Sequence, residues 1–166
     1  MAKTEKIQKT NAIRILEGKN IQFEASVYED NPDHKLELGA AERTAEKLGV
    51  EPECVFKTIV MMSDKKEVLV FCQSAVSEIN LKKARKLAGV ADVSPVKPDD
   101  LLKLTGYVRG GCSPIGMKKQ YRTFIDEMVT LCDKVYISAG VRGMQLCLSP
   151  EDLIKVTSAV VGDLSL

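Results

Sequence analysis

The sequence predicts an α+β fold in which helices surround a mixed, largely antiparallel sheet. Three observations carry that expectation. Two runs rich in Val, Ile and Phe, residues 55–62 and 67–73, are separated by Ser63-Asp64-Lys65-Lys66, the composition of a hairpin turn, so they form an antiparallel pair. Strand-like and helical segments do not alternate strictly, so a repeated βαβ layout of the dinucleotide-binding kind fits poorly. The 166 residues, 45% hydrophobic and 28% charged, suit one compact domain over 1–166 with an ordinary core, and no repeat or Pro/Ser linker divides them.

The elements can be justified in chain order. Helical residues 7–17, 40–48, 80–88 and 98–105 each end at or next to a glycine (Gly18, Gly49, Gly89, Gly106), where the left-handed backbone that closes a helix costs little. Asn80 can cap the third, and Pro98 suits the first turn of the fourth. Ser149-Pro150-Glu151-Asp152 combines an N-cap hydroxyl, Pro at the first helical position and acids in the first turn, and opens a last helix to about residue 161. Strand segments are expected at 22–28, 55–62, 67–73, 121–129, 134–138 and 144–148.

Charge and cysteines narrow the class. With 24 Lys+Arg against 23 Asp+Glu the net charge is +1, which excludes coating of long nucleic acid by bulk electrostatics and leaves room for a small basic cleft. Apolar runs such as 58–62 are far shorter than the roughly 20 residues that span a bilayer, so no membrane association is expected. The first ten residues lack the apolar core of a secretory signal, and the cytoplasm is the expected compartment. Five cysteines at 54, 72, 112, 132 and 147, with no C-x-x-C pair, are read as reduced thiols, mostly core packing.

Three stretches could carry chemistry. Residues 106–119 hold Gly106, Gly110, Gly111 and Gly116 together with Ser113-Pro114, a loop whose open amides can approach a ligand closely. It is not a phosphate loop: Gly111 and Gly116 have the spacing, but Met117 stands at the lysine position. Residues 138–143 offer Ser138, Gly140, Arg142 and Gly143: a hydroxyl, open backbone and a guanidinium fork able to grip a carboxylate or phosphate. Lys57 interrupts an apolar strand and so either faces a polar cleft, as anion-gripping lysines do, or points outward by alternation, with Thr58 on the opposite face. Cys112 lacks a basic partner other than Arg109 to make it a nucleophile. His34, the one histidine, lies in a turn-like sequence, and 82–86 reads as the wet face of a helix. No metal site and no cofactor are implied.

In this order and spacing, Val55-Phe56-Lys57-Thr58, the motif G-Y-x-x-G-G-x-S-P-x-G-x-K-K over 106–119, and Y-x-S-x-G-x-R-G over 136–143 resemble the YbaK/EbsC family of aminoacyl-tRNA deacylases. The family is similar to the editing domain of bacterial prolyl-tRNA synthetase. The resemblance implies a barrel-like sheet and hydrolysis of Cys-tRNA(Pro) in trans, with the tRNA 3′ end and prolyl-tRNA synthetase as partners. It implies that Tyr28 and Lys57 line the pocket, Lys57 orienting the terminal adenosine or phosphate, with Thr58 beside it. Gly110 and Gly111 would present backbone groups to the ester, Ser113 and Pro114 would shape that wall, and Ser138, Gly140 and Arg142 would build the second loop. Where the family carries an acid, this chain has Gln145, which removes a charge from the pocket. A non-catalytic module that binds tRNA ends or a synthetase stays open as the alternative.

Overall fold

A computed structural model describes residues 7–29 and 40–166. Helix α1 (Asn11–Gly18) begins at Thr10, whose hydroxyl accepts from the Ile13 amide at 3.3 Å, and it buries Ala12, Ile13 and Leu16. Strand β1 (Glu24–Val27) and helix α2 (Ala40–Leu48) follow, and a short 3-10 turn (Pro52–Cys54) leads into β2 (Phe56–Ser63). The predicted hairpin is present: β2 pairs antiparallel with β3 (Val68–Ser74), Met62 opposite Val68. The Ser63 hydroxyl ties the turn by accepting from the Lys65 and Glu67 amides. Strand β3 is buried along its whole length, as its nearly continuous apolar run requires of a central strand.

Helix α3 (Leu81–Ala88) is capped by Asn80 and closed by left-handed Gly89, and α4 (Pro98–Thr105) is closed by Gly106. Between them, β4 (Val93–Pro95) pairs with the end of β2, a strand the sequence did not announce. Strand β5 (Arg122–Asp126) is shorter than expected. Asp126 caps a 3-10 turn (Glu127–Leu131), where a carboxylate accepting from the Met128 amide ends the extended run. Strands β6 (Val135–Ser138) and β7 (Met144–Leu148) match their predicted segments. The last helix, α5 (Pro150–Thr157), has the Ser149 cap but stops short of residue 161. Ser158 turns left-handed there, and Val160–Gly162 forms β8 instead.

The strands form two sheets, β1-β7-β6 and β4-β2-β3-β5-β8, with β3-β5 and β5-β8 parallel and the other ladders antiparallel. They meet at one parallel bridge, Val55 to Tyr136. The expected barrel is not formed. After that single bridge β6 leaves the edge of β2, and β4 takes the same edge over from Met61 onward, so the two sheets do not close on each other. One core cluster joins the inner faces of both sheets to α1 and α5 through Leu16, Val70, Ile137, Leu146 and Leu153. A second lies under α3, where Phe71 and Phe124 stack at 5.2 Å beside Ala84 and Ala88.

The cysteine expectation needs one correction. Cys54 and Cys132 form a disulfide with Cα atoms 5.9 Å apart, because the 3-10 turns that carry them pack together; at a sequence separation of 78, spacing could not reveal the pair. Cys72, Cys112 and Cys147 are free and buried, as expected of core thiols. Among the described residues, no helix is long and apolar enough to cross a membrane.

Candidate functional site

Residues directly opposite in a ladder share a face, and strand register therefore assembles a polar row. Lys57 stands opposite Gln73, Gln145 opposite both Ser138 and Ser26. The parallel bridge from Val55 to Tyr136 joins the halves: Lys57 and Ser138 lie two residues beyond it on strands running the same way. Phe56, Val60, Ile137, Met144 and Leu146 point into the first core cluster, so the opposite face carries Gln73, Lys57, Ser138, Gln145 and Ser26. Tyr28, two residues after Ser26, continues the row, and its amide donates to the Gly143 carbonyl at 2.9 Å. Thr58, on the other face, is opposite Cys72 and packs toward the core side.

The row is unusual in its unfilled acceptors. Lys57 is half-buried and its Nζ donates to the Ser77 carbonyl at 2.8 Å. Gln73 is fully buried; its Nε2 donates to the Glu78 carbonyl at 2.9 Å, while its Oε1 has no partner among the described residues. Gln145, 7% exposed, likewise leaves Oε1 without a partner. A buried carboxamide oxygen without a donor is costly, so Gln145, the more accessible of the two, is a position where a donor from another molecule would be favourable. Lys47 lies over the Tyr28 ring at 5.8 Å and donates to the Glu29 carbonyl.

The two glycine loops meet each other. A Cβ on Gly111 would stand 3.0 Å from the Val141 backbone and 3.1 Å from the Arg142 amide, so only glycine allows the main chains this close. Gly110 takes φ +86, and the turn closes through the Gly111 amide to the Val108 carbonyl at 3.0 Å. Ser113 is fully buried, its Oγ accepting from the Ile115 amide, and Pro114 is buried beside it, so both hold the loop's shape. In the second loop the Ser138 hydroxyl accepts from the Gly140 amide at 3.3 Å. Arg142 is half-buried at the junction.

Tyr107, which sequence reasoning did not single out, organises this junction. Its hydroxyl donates to the Ile115 carbonyl at 2.7 Å and, with the Asn11–Ala12 backbone, fills the space that a side chain at Gly116 would need, while its ring does the same at Gly140. A lone large aromatic following a helix-closing glycine, inside a run of glycines, was the available signal. Burial pushes its phenol up to about 12, so the hydroxyl stays a donor at neutral pH.

Burial likewise pushes the Cys112 thiol up to about 12, opposed weakly by the Thr105 hydroxyl, so the thiolate a nucleophile needs is not populated. Cys72 behaves the same way. His34 lies outside the described residues.

A family model described as aminoacyl-tRNA editing domain matches residues 37–156. The chain is 38% identical over 165 residues to EbsC of Enterococcus faecalis (strain ATCC 700802 / V583), a protein assigned as a Cys-tRNA(Pro)/Cys-tRNA(Cys) deacylase, covering 99% of this chain and 98% of EbsC. The chain belongs to the aminoacyl-tRNA editing domain family. The matched span of the editing domain holds Lys57, both glycine loops and Gln145, whereas Tyr28 and α1 precede it. An uncharacterized protein of Bacillus subtilis (strain 168), YwhH, is 23% identical over 124 residues, 75% of this chain and 78% of its own. In fold, the editing domain is similar to a solved structure of a protein assigned as a trans-editing enzyme for prolyl tRNA synthetase, at TM-score 0.79 and 22% identity, covering 96% of this chain and 99% of that one.

Proposed function

We propose that the chain is a trans-acting aminoacyl-tRNA deacylase that cleaves the ester of misacylated tRNA, with Cys-tRNA(Pro) as its substrate. The observation that carries this reading is the polar row of Lys57, Ser138 and Gln145, with its unfilled acceptor, which crosses the bridge between the two sheets beside the β6–β7 loop that meets the glycine loop at Gly111. Membership of the editing family and the likeness to EbsC support the substrate class.

In this reading the Gly110 amide stabilises the oxyanion that develops on the ester carbonyl, in the turn that the Gly111 amide closes on the Val108 carbonyl. Ser113 and Pro114 keep that turn rigid. Lys57 orients the terminal nucleotide, Gln145 accepts a hydrogen bond from the aminoacyl group, and Tyr28, Ser138, Gly140 and Arg142 complete the enclosure, with Thr58 backing Lys57 from the core face of the strand. An aminoacyl ester is already activated, so positioning supplies much of the rate. With a cysteinyl substrate no protein nucleophile is needed. The substrate thiol loses its proton as sulfur bonds to the carbonyl carbon, and the ribose oxygen departs and takes up a proton, leaving a cyclic thioester for water to open. The protein acts in the cytoplasm beside prolyl-tRNA synthetase, which generates the misacylated product.

The test is ester loss from Cys-tRNA(Pro) by the wild type and by Lys57→Ala, with Ala-, Ser- and Pro-charged tRNA alongside. We expect multiple turnovers for the cysteinyl ester and a drop of at least 10-fold in kcat/KM for Lys57→Ala, the loss of roughly 1.4 kcal/mol of transition-state stabilisation. A wild-type rate equal to the enzyme-free background would sink the reading.

A further inference from the structure

We propose that Arg109, Lys118 and Lys119 form a cationic rim on the outer side of the glycine loop that grips the phosphodiester backbone of a single-stranded RNA end. The proposal deepens the deacylase reading by adding a binding surface to the same site. It starts from charge distribution. Residues 101–125 contain Lys103, Arg109, Lys118, Lys119 and Arg122 and not one acid. Since the whole chain has 24 Lys+Arg and 23 Asp+Glu, the rest of it is net acidic. The near-neutral total therefore conceals a basic loop face on an otherwise acidic molecule.

Folding leaves four of these five cations without an ion pair among the described residues. Arg122 is engaged, its guanidinium bonding Glu67 at 3.0 Å and the Ala88 carbonyl at 2.8 Å. Lys103, Arg109, Lys118 and Lys119 are exposed, and none forms an ion pair among the described residues. The segment that carries the two lysines folds back onto the end of α4. The Lys118 amide donates to the Thr105 carbonyl at 3.1 Å, the Tyr121 hydroxyl to the Leu104 carbonyl at 2.6 Å, and the Lys118 stem lies 3.4 Å from where a Gly106 side chain would begin. Lys118 and Lys119 thus flank the root of the loop, and Arg109 sits on the tip turn next to Gly110. The acids of α4, Asp99 and Asp100, lie in its first turn, at the far end of the helix. Exposed cations with no carboxylate to satisfy them release counterions on meeting phosphates, which favours a polyanion strand. The exposed backbone of Gly110 continues that surface inward.

The experiment measures fluorescence anisotropy of a fluorescein-labelled, uncharged RNA hairpin with a four-nucleotide 3′ overhang, titrated with full-length protein across a salt series. We expect Arg109→Ala/Lys118→Ala/Lys119→Ala to weaken binding roughly 10- to 100-fold near 0.1 M salt and to flatten the slope of log affinity against log salt by roughly 2, at roughly 0.7 per lost contact. The charge-preserving Arg109→Lys/Lys118→Arg/Lys119→Arg should keep the wild-type slope. Lys65→Ala/Lys82→Ala/Lys86→Ala removes the same charge from the hairpin turn and α3, so it should also keep that slope. Equal losses in both alanine triples would mean bulk electrostatics and overturn the proposal. Unchanged affinity in the rim triple, or no binding by wild type, would overturn it too and would leave this face to an acidic protein surface. Deacylation measured in parallel separates the two claims. Rim-dependent binding without ester cleavage removes the enzymatic reading alone, and ester cleavage with rim-independent binding removes the rim alone.

Discussion

At the scale of single residues, Gln145 is where folding and function pull apart. Its buried Oε1 has no donor among the described residues, which costs stability unless a substrate supplies one. Gln145→Leu keeps the volume and removes the orphan, so thermal stability should hold or rise by about 1 kcal/mol while KM for aminoacyl-tRNA rises. A loss of stability with unchanged KM would show that the carboxamide serves the fold instead. Gly111 behaves in the opposite way. A Cβ there would press on the Val141 and Arg142 backbone at about 3 Å, and backbone cannot swing aside as a side-chain tip does. Gly111→Ala should cost about 1–3 kcal/mol by overpacking and lower kcat through a displaced loop, read by denaturant melts and single-turnover ester cleavage. The sequence made Gly111 legible as a point of close approach but not what it approaches, since Val141 is 30 positions away and only the fold chooses between a ligand and another loop. Lys57 was legible as an intrusion in an apolar run. Its neighbours Ser138 and Gln145 could be placed beside it only once the Val55–Tyr136 bridge had fixed register across the two sheets.

At the scale of elements, the helices were readable because their ends are local chemistry: Asn80, Gly89, Gly106 and Ser149 act within one turn of their own positions. The long hairpin was readable for the same reason. Strands β4 and β8, three residues each, carry no period to detect, and β4 ends in Pro95, which suits only an edge. The disulfide belongs to this scale as well, because it fixes the two 3-10 turns beside the seam where β6 leaves β2. Closing a loop of separation 78 restricts the unfolded chain, worth about 4.5 kcal/mol in the chain-entropy account. Protein denatured without reductant should therefore expose three reactive thiols, Cys72, Cys112 and Cys147, and five after reduction, counted by alkylation and mass. Five thiols without reductant would restore the all-reduced expectation and remove any stability difference between wild type and Cys54→Ser.

At the scale of the whole molecule, composition gave the net charge correctly and hid its arrangement, because a total does not say which cations end up on one loop. Burial has a comparable global consequence for pH. Cys72 and Cys112 rise from an ordinary 9.0 to about 12, and Tyr107 from 10.0 to about 12, all chiefly by desolvation in the first core cluster. A raised acid pKa means that the folded state holds its proton where the unfolded chain has released it, so stability must fall with rising pH across that window. The contribution is complete below pH 9.0 and is lost as pH climbs through 9.0 toward about 12. Thermal midpoints should thus be flat around neutrality and decline steeply on the alkaline side. The decisive quantity is a difference between variants. Cys72→Ala/Cys112→Ala will lower the neutral midpoint by losing packing, yet its alkaline decline should be shallower, because two of the buried groups that hold their protons in the folded chain are gone. Parallel declines in variant and wild type would mean that these thiols ionise in the folded protein much as they do in the unfolded one, and that the loop's core admits more water than its packing implies.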